Sequence, residues 1–373
     1  MRRFVRRIRN NKIGSFFRCA FCIIFFLAVG ARAEEHFAHA SPQRKLVFPD
    51  DHGAHPRFQT EWWYYTGHLQ IEGSNQTLPE FGYQLTFFRR AGHPHAELLS
   101  WDQHYMAHAA LSDHRTSTFY ASKRQASGGL EVAGAQEKNL NVWIQGWEAK
   151  RLDSVHRLQA RYETQGTQIE LQLDLEELTQ AVLHGAGGYS KKGACATCAS
   201  HYYSFPGMKT KGVVKVGQEE FRVSGLSWMD HEFMSSALDA DQVGWDWFAF
   251  MNSKGFSLML FALRTANGDW SFSSGTITSE GHSETLTPKM GQIKTLRTWR
   301  SPVSGALYPS RWRIELPEKN ISFEAEPRFA AQEHVTKESD GIAYWEGALS
   351  TSQSGLMGYA ELTGYAKELK QDF

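Results

Sequence analysis

The segment Trp228-Met229-Asp230-His231-Glu232 places acidic side chains among bulky apolar ones. On a β-strand, Trp228, Asp230 and Glu232 share one face, and His231 lies on the other. A carboxyl group beside indole rings loses solvation, which raises its pKa, and an acid that is neutral near pH 7 can donate a proton. Aromatic faces stabilise a nearby cation, so the segment favours protonation of an alkene or another cation-forming step. A buried aspartate that caps a turn or pairs with arginine is the alternative.

A second run of this kind, Glu61-Trp62-Trp63-Tyr64-Tyr65, lies near the start of the chain. If the run forms a strand, Trp62 and Tyr64 share one face, and Trp63 and Tyr65 share the opposite one. Bulky aromatic rings are costly to leave in water, so both faces need cover. The run therefore predicts a strand with protein core on one side and an aromatic cavity or a second domain on the other. Ordinary aromatic β-core is the alternative.

The candidate substrate-binding residues come from these two runs and from a third, Trp245-Asp246-Trp247-Phe248. We expect the following side chains to contact substrate: Glu61, Trp62, Tyr64, His231, Glu232, Trp245 and Trp247. His201 and Tyr203 are two positions apart, which puts them on one strand face. They would form a polar pair in an otherwise aromatic pocket.

Motifs for common cofactors or for an activated serine are absent from the sequence. It has no Gly-x-Ser-x-Gly elbow, no His-Glu-x-x-His, no phosphate-binding loop and no dinucleotide fingerprint. Residues 50–55 include two Asp and two His, which could ligate a metal, but Gly53 and Pro56 favour a shaped turn instead. We therefore predict no metal and no cofactor. Hydrolysis in which Asp230 or Glu232 activates water stays open.

The N-terminus has the features of an export signal. Residues 2–18 carry six Arg and one Lys and no acid, and residues 19–30 form an apolar run. The small residues of Ala31-Arg32-Ala33 then suit a cleavage site. The run is short for a membrane span, although a retained anchor is the alternative. We predict a signal peptide over residues 1–33 and a periplasmic or secreted product.

The predicted mature chain is acidic. The whole sequence has 40 basic and 40 acidic side chains, and residues 1–33 hold eight of the basic ones and none of the acids. This leaves 32 basic against 40 acidic side chains, a formal charge of −8 with histidine neutral. Because phosphate contacts need clustered Lys and Arg, we predict no nucleic-acid partner.

Two cysteines, Cys195 and Cys198, remain after residue 33. In an oxidising compartment a local disulfide between them is the default. A redox dithiol would need a strand-to-helix setting, whereas the flanking sequence is a loop rich in Gly, Ser and Lys. A zinc site would need a second pair of ligands. We therefore predict a disulfide.

Short alternating or aromatic-rich runs, separated by Gly, Asn, Asp, Ser or Pro, recur along the chain and predict about fifteen strands. A single sheet of that size tends to curl or split. We predict an all-β protein with two barrel domains, residues 34–220 and 221–373. Two short helices are also expected, at residues 97–107 and 174–183.

Further motifs extend over nearly the whole predicted mature chain. They are Phe48-Pro49-Asp50-Asp51-His52-Gly53-Ala54-His55-Pro56, Thr60-Glu61-Trp62-Trp63-Tyr64-Tyr65-Thr66-Gly67, Gln84-Leu85-Thr86-Phe87-Phe88-Arg89, Ala107-His108-Ala109-Ala110, His201-Tyr202-Tyr203, Trp228-Met229-Asp230-His231-Glu232, Gly244-Trp245-Asp246-Trp247 and Glu361-Leu362-Thr363-Gly364-Tyr365. Together they resemble the AttH and hydroxyneurosporene-synthase-like family, in its exported branch of predicted secreted hydrolases. The resemblance runs from about residue 46 to residue 365.

The resemblance implies two lipocalin-like β-barrels in tandem and kinship with carotenoid 1,2-hydratases, which add water to a terminal isoprenoid double bond. In that branch an acid in an Asp-His motif protonates the alkene. The resemblance gives this role to Asp230, with Trp228, His201 and Tyr203 as the other catalytic residues. Glu232 stands where the hydratase pattern has Asn, so the substrate is less well defined than the fold.

Three hypotheses follow for the function. The first is an exported, hydratase-like enzyme that acts on an isoprenoid or lipid-like substrate through proton donation by Asp230. The second is a periplasmic carrier that binds a hydrophobic ligand without chemistry and serves an envelope ABC-type transporter. The third is an ester or amide hydrolase. Replacement of Asp230 separates the first hypothesis from the second, because only the enzyme needs the acid.

Overall fold

The computed structural model describes residues 36–94, 100–235, 238–239, 241–287, 291–335 and 343–369. The predicted signal peptide, residues 1–33, lies outside the described residues. The strands in chain order are β1 Thr60–Ile71, β2 Phe81–Ala91, β3 Gln103–Asp113, β4 Thr118–Ser127, β5 Ala133–Ala135, β6 Asn141–Ile144, β7 Trp147–Leu152, β8 Val155–Thr164, β9 Thr167–Glu176, β10 Val182–Leu183, β11 Tyr189–Lys191, β12 Ala199–Val216, β13 Glu219–Met234, β14 Gln242–Met251, β15 Ser257–Thr265, β16 Trp270–Ser279, β17 His282–Leu286, β18 Gln292–Arg300, β19 Leu307–Leu316, β20 Ile321–Pro327, β21 Glu333–Val335, β22 Ala343–Thr351 and β23 Met357–Leu362. Short 3-10 turns occur at Asp50–His52, Ser100–Asp102 and Pro317–Lys319. In the described part of the chain, no helix has the length and apolarity that a bilayer crossing requires.

The strands form two antiparallel sheets. The first has the order β4-β3-β2-β1-β13-β12-β9-β8-β7-β6-β5, with β10 and β11 paired to β12. The second has the order β17-β16-β15-β14-β23-β22-β20-β19-β18, with β21 paired to β22. The prediction of an all-β protein with two tandem, barrel-like sheets is confirmed.

Each sheet curls around an apolar core of its own. In the first sheet, the edge strand β4 approaches β8, and the Tyr162 hydroxyl donates to the carbonyl of Tyr120 at 3.0 Å. The core of this sheet includes Trp63 and Tyr65, whereas the core of the second sheet is built around residues such as Trp312. Curling lets sheets of this size bury one face without leaving long flat edges.

A third apolar cluster lies between the two sheets and joins them. It contains Tyr64 and Trp228 from the first sheet and Trp247 and Phe261 from the second. Strand β1 therefore contributes alternate side chains to two different layers, the barrel core and the space between the sheets. This confirms the prediction from the Glu61–Tyr65 run that both faces of the strand are covered.

Two sequence predictions differ from the structure. The helices expected at residues 97–107 and 174–183 are wrong over the described residues, because β3 begins at residue 103, β9 continues to residue 176 and β10 occupies 182–183. The domain boundary expected after residue 220 falls inside β13, which pairs with β1 and β12 of the first sheet. The chain passes from one sheet to the other between β13 and β14.

Close packing of β13 on β1 makes Gly225 sensitive to substitution. A Cβ atom at this position would overlap the carbonyl oxygen of His68 on the paired strand. We expect Gly225→Ala to lower the free energy of unfolding by about 1–3 kcal/mol, the usual cost of overpacking, as measured by urea denaturation. Gly291→Ala is the control, because its nearest neighbour would be a Leu260 methyl at 3.9 Å. Equal stability of the two variants would contradict the β1–β13 register.

Candidate active site

A cavity of about 420 Å³ lies between the two sheets. Strands β1, β2, β12 and β13 supply one wall, and β14, β15 and β23 supply the other. The aromatic part of the lining consists of Trp62, Tyr64, Phe88, Tyr202, Trp245, Trp247 and Phe261. Five charged side chains also line this space, Lys192, Asp230, Glu232, Asp239 and Glu361, so the cavity suits an apolar ligand that is oriented by specific polar contacts.

Asp230 is the buried acid of the cavity. It lies on β13, with 4% of its surface exposed. Its Oδ1 accepts hydrogen bonds from Trp228 Nε1 at 2.6 Å and from the Ser204 hydroxyl. Its Oδ2 accepts from the Tyr202 hydroxyl at 2.7 Å, and Trp247 Nε1 donates to the same hydroxyl at 3.1 Å. The carboxyl group is therefore held in one orientation.

Burial raises the pKa of Asp230 to about 7, although the hydrogen bonds from Ser204, Trp228 and Tyr202 lower it. An indole nitrogen can only donate, so Trp228 keeps Oδ1 as an acceptor. The proton of the neutral acid therefore belongs on Oδ2, beside Tyr202. A carboxylic acid that is half-protonated near neutral pH is suited to general acid catalysis.

His184 and Thr276 support Asp230 from behind. His184 Nε2 lies 2.6 Å from Ser204 Oγ, and its Nδ1 lies 2.8 Å from Thr276 Oγ1. Burial lowers the pKa of His184 to about 3, so the ring is neutral. Because Ser204 donates to the aspartate, its oxygen accepts from His184. In a hydrolase triad the acid orients the histidine instead, so this arrangement positions Asp230 and does not activate Ser204.

Glu361 faces the cavity from the second sheet. Its Oε2 accepts a hydrogen bond from Trp245 Nε1 at 3.2 Å. Burial raises the pKa of Glu361 to about 7, the hydrogen bond from Trp245 lowers it, and the charge of Asp230 raises it further. The cavity therefore has an acid with a raised pKa on each of its two walls.

A buried ion pair lies at another part of the wall. Lys192 Nζ is 2.7 Å from Glu232 Oε1 and lies over the rings of Tyr202 and Phe261, 4.8 and 4.2 Å from their centroids. The Lys192 amide donates to the carbonyl of Cys198 at 2.8 Å. The structure joins Cys195 and Cys198 in a disulfide, and this short loop holds the lysine against the cavity.

The structure brings most of the sequence-predicted residues together. The following line the cavity: Trp62, Tyr64, Asp230, Glu232, Trp245 and Trp247. Trp228 lies next to them and bonds to Asp230. The alternation of faces along β1 and β13 places these side chains as the sequence predicts.

Four other predicted residues, Glu61, His201, Tyr203 and His231, lie on the opposite face of the first sheet. The Tyr203 hydroxyl is 3.0 Å from His231 Nδ1, and His231 Nε2 is 2.8 Å from Glu61 Oε1. The expectation that these side chains surround Asp230 or substrate is therefore corrected. On β13 and β12, the residues next to Asp230 and Tyr202 point away from the cavity, because neighbouring positions on a strand face opposite ways.

Three of these residues, Glu61, Tyr203 and His231, belong to a buried charged network, whereas His201 Nε2 accepts a hydrogen bond from the Ser41 amide at 3.3 Å. Glu61 accepts from Arg89 Nε at 2.9 Å, and its Oε1 is 2.7 Å from His55 Nδ1. His55 Nε2 lies 2.8 Å from Asp51 Oδ1. Ligand-type atoms of His55, Glu61 and His231 lie close together, but Glu61 already pairs with both imidazoles and with arginine. This network anchors the Asp- and His-rich segment at residues 50–55 to β1, so the role of the segment is structural.

Sequence reasoning missed Tyr202, Ser204, His184 and Glu361 as parts of the site. Tyr202 lies between the two residues that the sequence favoured, His201 and Tyr203. Which residues of β12 share a face with Asp230 depends on how β12 pairs with β13, and in that pairing Ser204 lies opposite Asp230. Glu361 belongs to a motif quoted above, but only the second sheet brings it to the cavity. Knowledge of strand register would have identified them.

The hydrogen bond from Tyr202 affects the pKa of Asp230. The Tyr202 hydroxyl bonds to the ionised carboxylate and thereby lowers the pKa of Asp230. We expect Tyr202→Phe to raise the pKa of Asp230, so that the carboxyl stays protonated to higher pH. Infrared titration of the carboxyl band measures this, with Tyr189→Phe as the control, because Tyr189 is not part of the cavity lining. A shift to lower pH would contradict the assigned hydrogen bond.

Comparisons with known proteins agree with this architecture. A family model described as AttH-like matches residues 39–365. The crystal structure of a Nitrosomonas europaea protein assigned to AttH is similar, with 32% sequence identity and a TM-score of 0.78 over 88% of this chain and 100% of that one. Kievitone hydratase from Nectria haematococca has 14% identity and a TM-score of 0.61 over 90% of this chain and 97% of that one, which shows a shared fold. A search of curated proteins finds no match.

The family model covers most of the chain, and a solved relative shares about a third of its residues over its full length. Most of the motifs that carry the resemblance contribute residues to the inter-sheet cavity or to the charged network behind it. The protein belongs to the AttH-like family.

Proposed function

We propose that the protein is an enzyme that adds water to a carbon–carbon double bond of an isoprenoid or lipid-like substrate, with Asp230 as the proton donor. The observation that carries this proposal is the buried acid itself. Its pKa is raised to about 7 in an aromatic cavity, and three donors orient it. The fold shared with kievitone hydratase adds support.

The chemistry needs an acid that is neutral at working pH and an environment that tolerates a cation. The alkene π electrons take the proton from Asp230 Oδ2, which forms a C–H bond and leaves a carbocation and a carboxylate. The rings of Trp62 and Trp247 on the cavity wall stabilise positive charge through their electron-rich faces. Water then forms the C–O bond, and loss of its proton gives the alcohol.

The cavity sets the substrate class. Its volume of about 420 Å³ is in the lower part of the roughly 300–1,000 Å³ range of small-molecule sites. A terminal isoprenoid double bond is favoured over an internal one. Both give a tertiary cation on protonation, but the terminal bond needs less enclosed volume around it.

The proposed function also includes a location outside the cytoplasm. We infer that the chain acts in the periplasm or outside the cell, where its hydrophobic substrate comes from the envelope, by way of an ABC-type transporter. The signal-like N-terminus supports this location. Detection of a product that begins at residue 34 in a periplasmic extract tests it, and a full-length cytoplasmic product would contradict it.

The experiment that tests the activity uses the purified protein and a lipid extract of its own cell envelope. Native mass spectrometry reports what binds, and liquid chromatography with mass spectrometry reports what is formed. We expect a product heavier by one water that is absent with Asp230→Asn. A lipid that both proteins retain equally, without any product, would overturn the enzyme and support a carrier.

A further inference from the structure

Asp230 and Glu361 line the same cavity from two different sheets. On the first sheet, Asp230 of β13 pairs across from Tyr64 of β1 and from Ser204 of β12. On the second sheet, Glu361 of β23 pairs across from Trp247 of β14 and from Glu346 of β22. Directly opposed residues of antiparallel strands share a face. Each acid therefore lies in the middle of a row of side chains that faces the other sheet.

Contacts across the gap hold both ends of the second row, Glu346 and Trp247, against the first sheet. At one end, the Tyr64 hydroxyl donates to Glu346 Oε1 at 2.5 Å. At the other, Trp247 Nε1 donates to the hydroxyl of Tyr202, which bonds to Asp230. Glu361 lies between Glu346 and Trp247 in its row, so its carboxyl group faces the same enclosed space as that of Asp230.

We propose that Glu361 is the second catalytic residue of this site and takes the proton from the water that attacks the cation generated by Asp230. This inference rests on the proposed hydration. Its carboxyl group lines the cavity and, among the described residues, has Trp245 as its one hydrogen-bond partner. An ionised carboxylate has several acceptor sites, so one such bond leaves capacity to orient and deprotonate water.

The two acids divide the proton transfers between them. Two carboxylates that share a dry site do not both ionise readily, so they hold one proton between them near neutral pH. The proposed reaction starts from the state in which Asp230 holds that proton and Glu361 is ionised. After proton donation by Asp230, the water oxygen bonds to the cation, and its proton passes to Glu361. The net reaction is alkene plus water to alcohol, and transfer of the proton from Glu361 to Asp230 through water restores the starting state.

Other charged groups on the cavity wall do not fit this role as well. The described ones are Lys192, Glu232 and Asp239. Lys192 and Glu232 are paired with each other at 2.7 Å, and the Ser200 hydroxyl also donates to Glu232. Asp239 comes from the segment between β13 and β14, outside the two facing rows. Glu346 is turned to Tyr64.

The test follows two reactions of the same alkene in deuterium oxide with prenol, geraniol and farnesol as probes. Hydration gives the alcohol. If the acid adds a deuteron and the cation then loses a proton without water attack, the recovered alkene contains deuterium. We expect Glu361→Gln to lose hydration by about 100-fold or more, in keeping with general base catalysis, while deuterium exchange continues. Asp230→Asn should lose both reactions. Glu326→Gln, on the outer surface, is the control for the Glu-to-Gln change.

Infrared titration supplies a readout that does not depend on turnover. If the two acids face each other, Glu361→Gln removes a neighbouring negative charge, and Asp230 should titrate at lower pH. An unchanged titration of Asp230, or hydration retained in Glu361→Gln, overturns the role of Glu361 and leaves the proposed function intact. A wild-type protein that neither hydrates nor labels any of the three probes overturns the proposed function, and the role of Glu361 falls with it.

Discussion

Asp230→Asn should lower turnover by at least about 100-fold, the range expected for removal of a general acid, and leave the affinity for apolar ligands nearly unchanged. The asparagine oxygen can accept from Trp228 and Ser204, and its amide can donate to the Tyr202 hydroxyl. Asparagine thus reproduces the hydrogen-bond pattern of the neutral acid without its proton. Steady-state turnover together with ligand binding by native mass spectrometry measures the two quantities.

The same variant should gain stability relative to the wild type as pH rises. The pKa of Asp230 is raised in the folded state to about 7 from 3.8, so its contribution is fully present below about pH 4. That contribution is lost as pH rises through about 7, whereas asparagine has none to lose. Urea denaturation at pH 5 and pH 8 checks the sign. Activity that survives the substitution would exclude Asp230 as the proton donor. A stability difference between the variant and the wild type that does not change with pH would contradict the raised pKa of Asp230.

Glu61→Gln should destabilise the fold by about 3–5 kcal/mol, the usual cost of breaking a buried ion pair. Four donors converge on this carboxylate: the His55 amide at 2.9 Å, His55 Nδ1 at 2.7 Å, His231 Nε2 at 2.8 Å and Arg89 Nε at 2.9 Å. A glutamine has one acceptor oxygen, and its amide would face two donors. The Arg89 charge would also remain buried, because this side chain is only 1% exposed. Guanidinium denaturation gives the free energy of unfolding.

The pH dependence of this loss follows from two pKa shifts. Burial would raise the pKa of Glu61, but His55, Arg89 and the bond from His231 hold it well below 4.5. Burial would lower the pKa of His55, but Glu61 and Asp51 raise it above 6.5. The Glu61 contribution is present above about pH 4.5 and the His55 contribution below about pH 6.5, so the network stabilises most between these values.

Glu326→Gln is the matched control for this prediction. Glu326 pairs with Arg297 at 3.3 Å, and both side chains are about half exposed. An exposed pair contributes about 0–1 kcal/mol, so this variant should unfold close to the wild type. If Glu61→Gln were as mild as Glu326→Gln, the buried network would not be what anchors residues 50–55 to β1.

Local patterns predicted the parts of this protein that depend on strand parity alone. The alternation in residues 61–65 predicted a strand buried on both faces, and the parity of residues 228–232 placed Trp228, Asp230 and Glu232 together. Burial among indole rings predicted a raised pKa for Asp230. These inferences need no knowledge of which strands are neighbours.

The parts that were missed depend on long-range register. The choice between His201 with Tyr203 and Tyr202 with Ser204 depends on how β12 pairs with β13, which no local pattern reports. Glu361 reaches the cavity because β23 pairs with β14 more than a hundred residues earlier in the chain. The helix predicted at residues 174–183 does not form, because β9 extends to Glu176 in its ladder with β12. Here tertiary pairing outweighs local propensity.

The most direct test of proton donation by Asp230 and water addition is isotope labelling of the product formed from the envelope extract. In deuterium oxide enriched in oxygen-18, we predict one deuterium on carbon and one labelled oxygen on the adjacent carbon, formed by the wild type and not by Asp230→Asn. Oxygen-18 in a carboxylate released by cleavage would instead identify a hydrolase. A bound lipid recovered without any label would contradict the enzymatic role and identify a carrier.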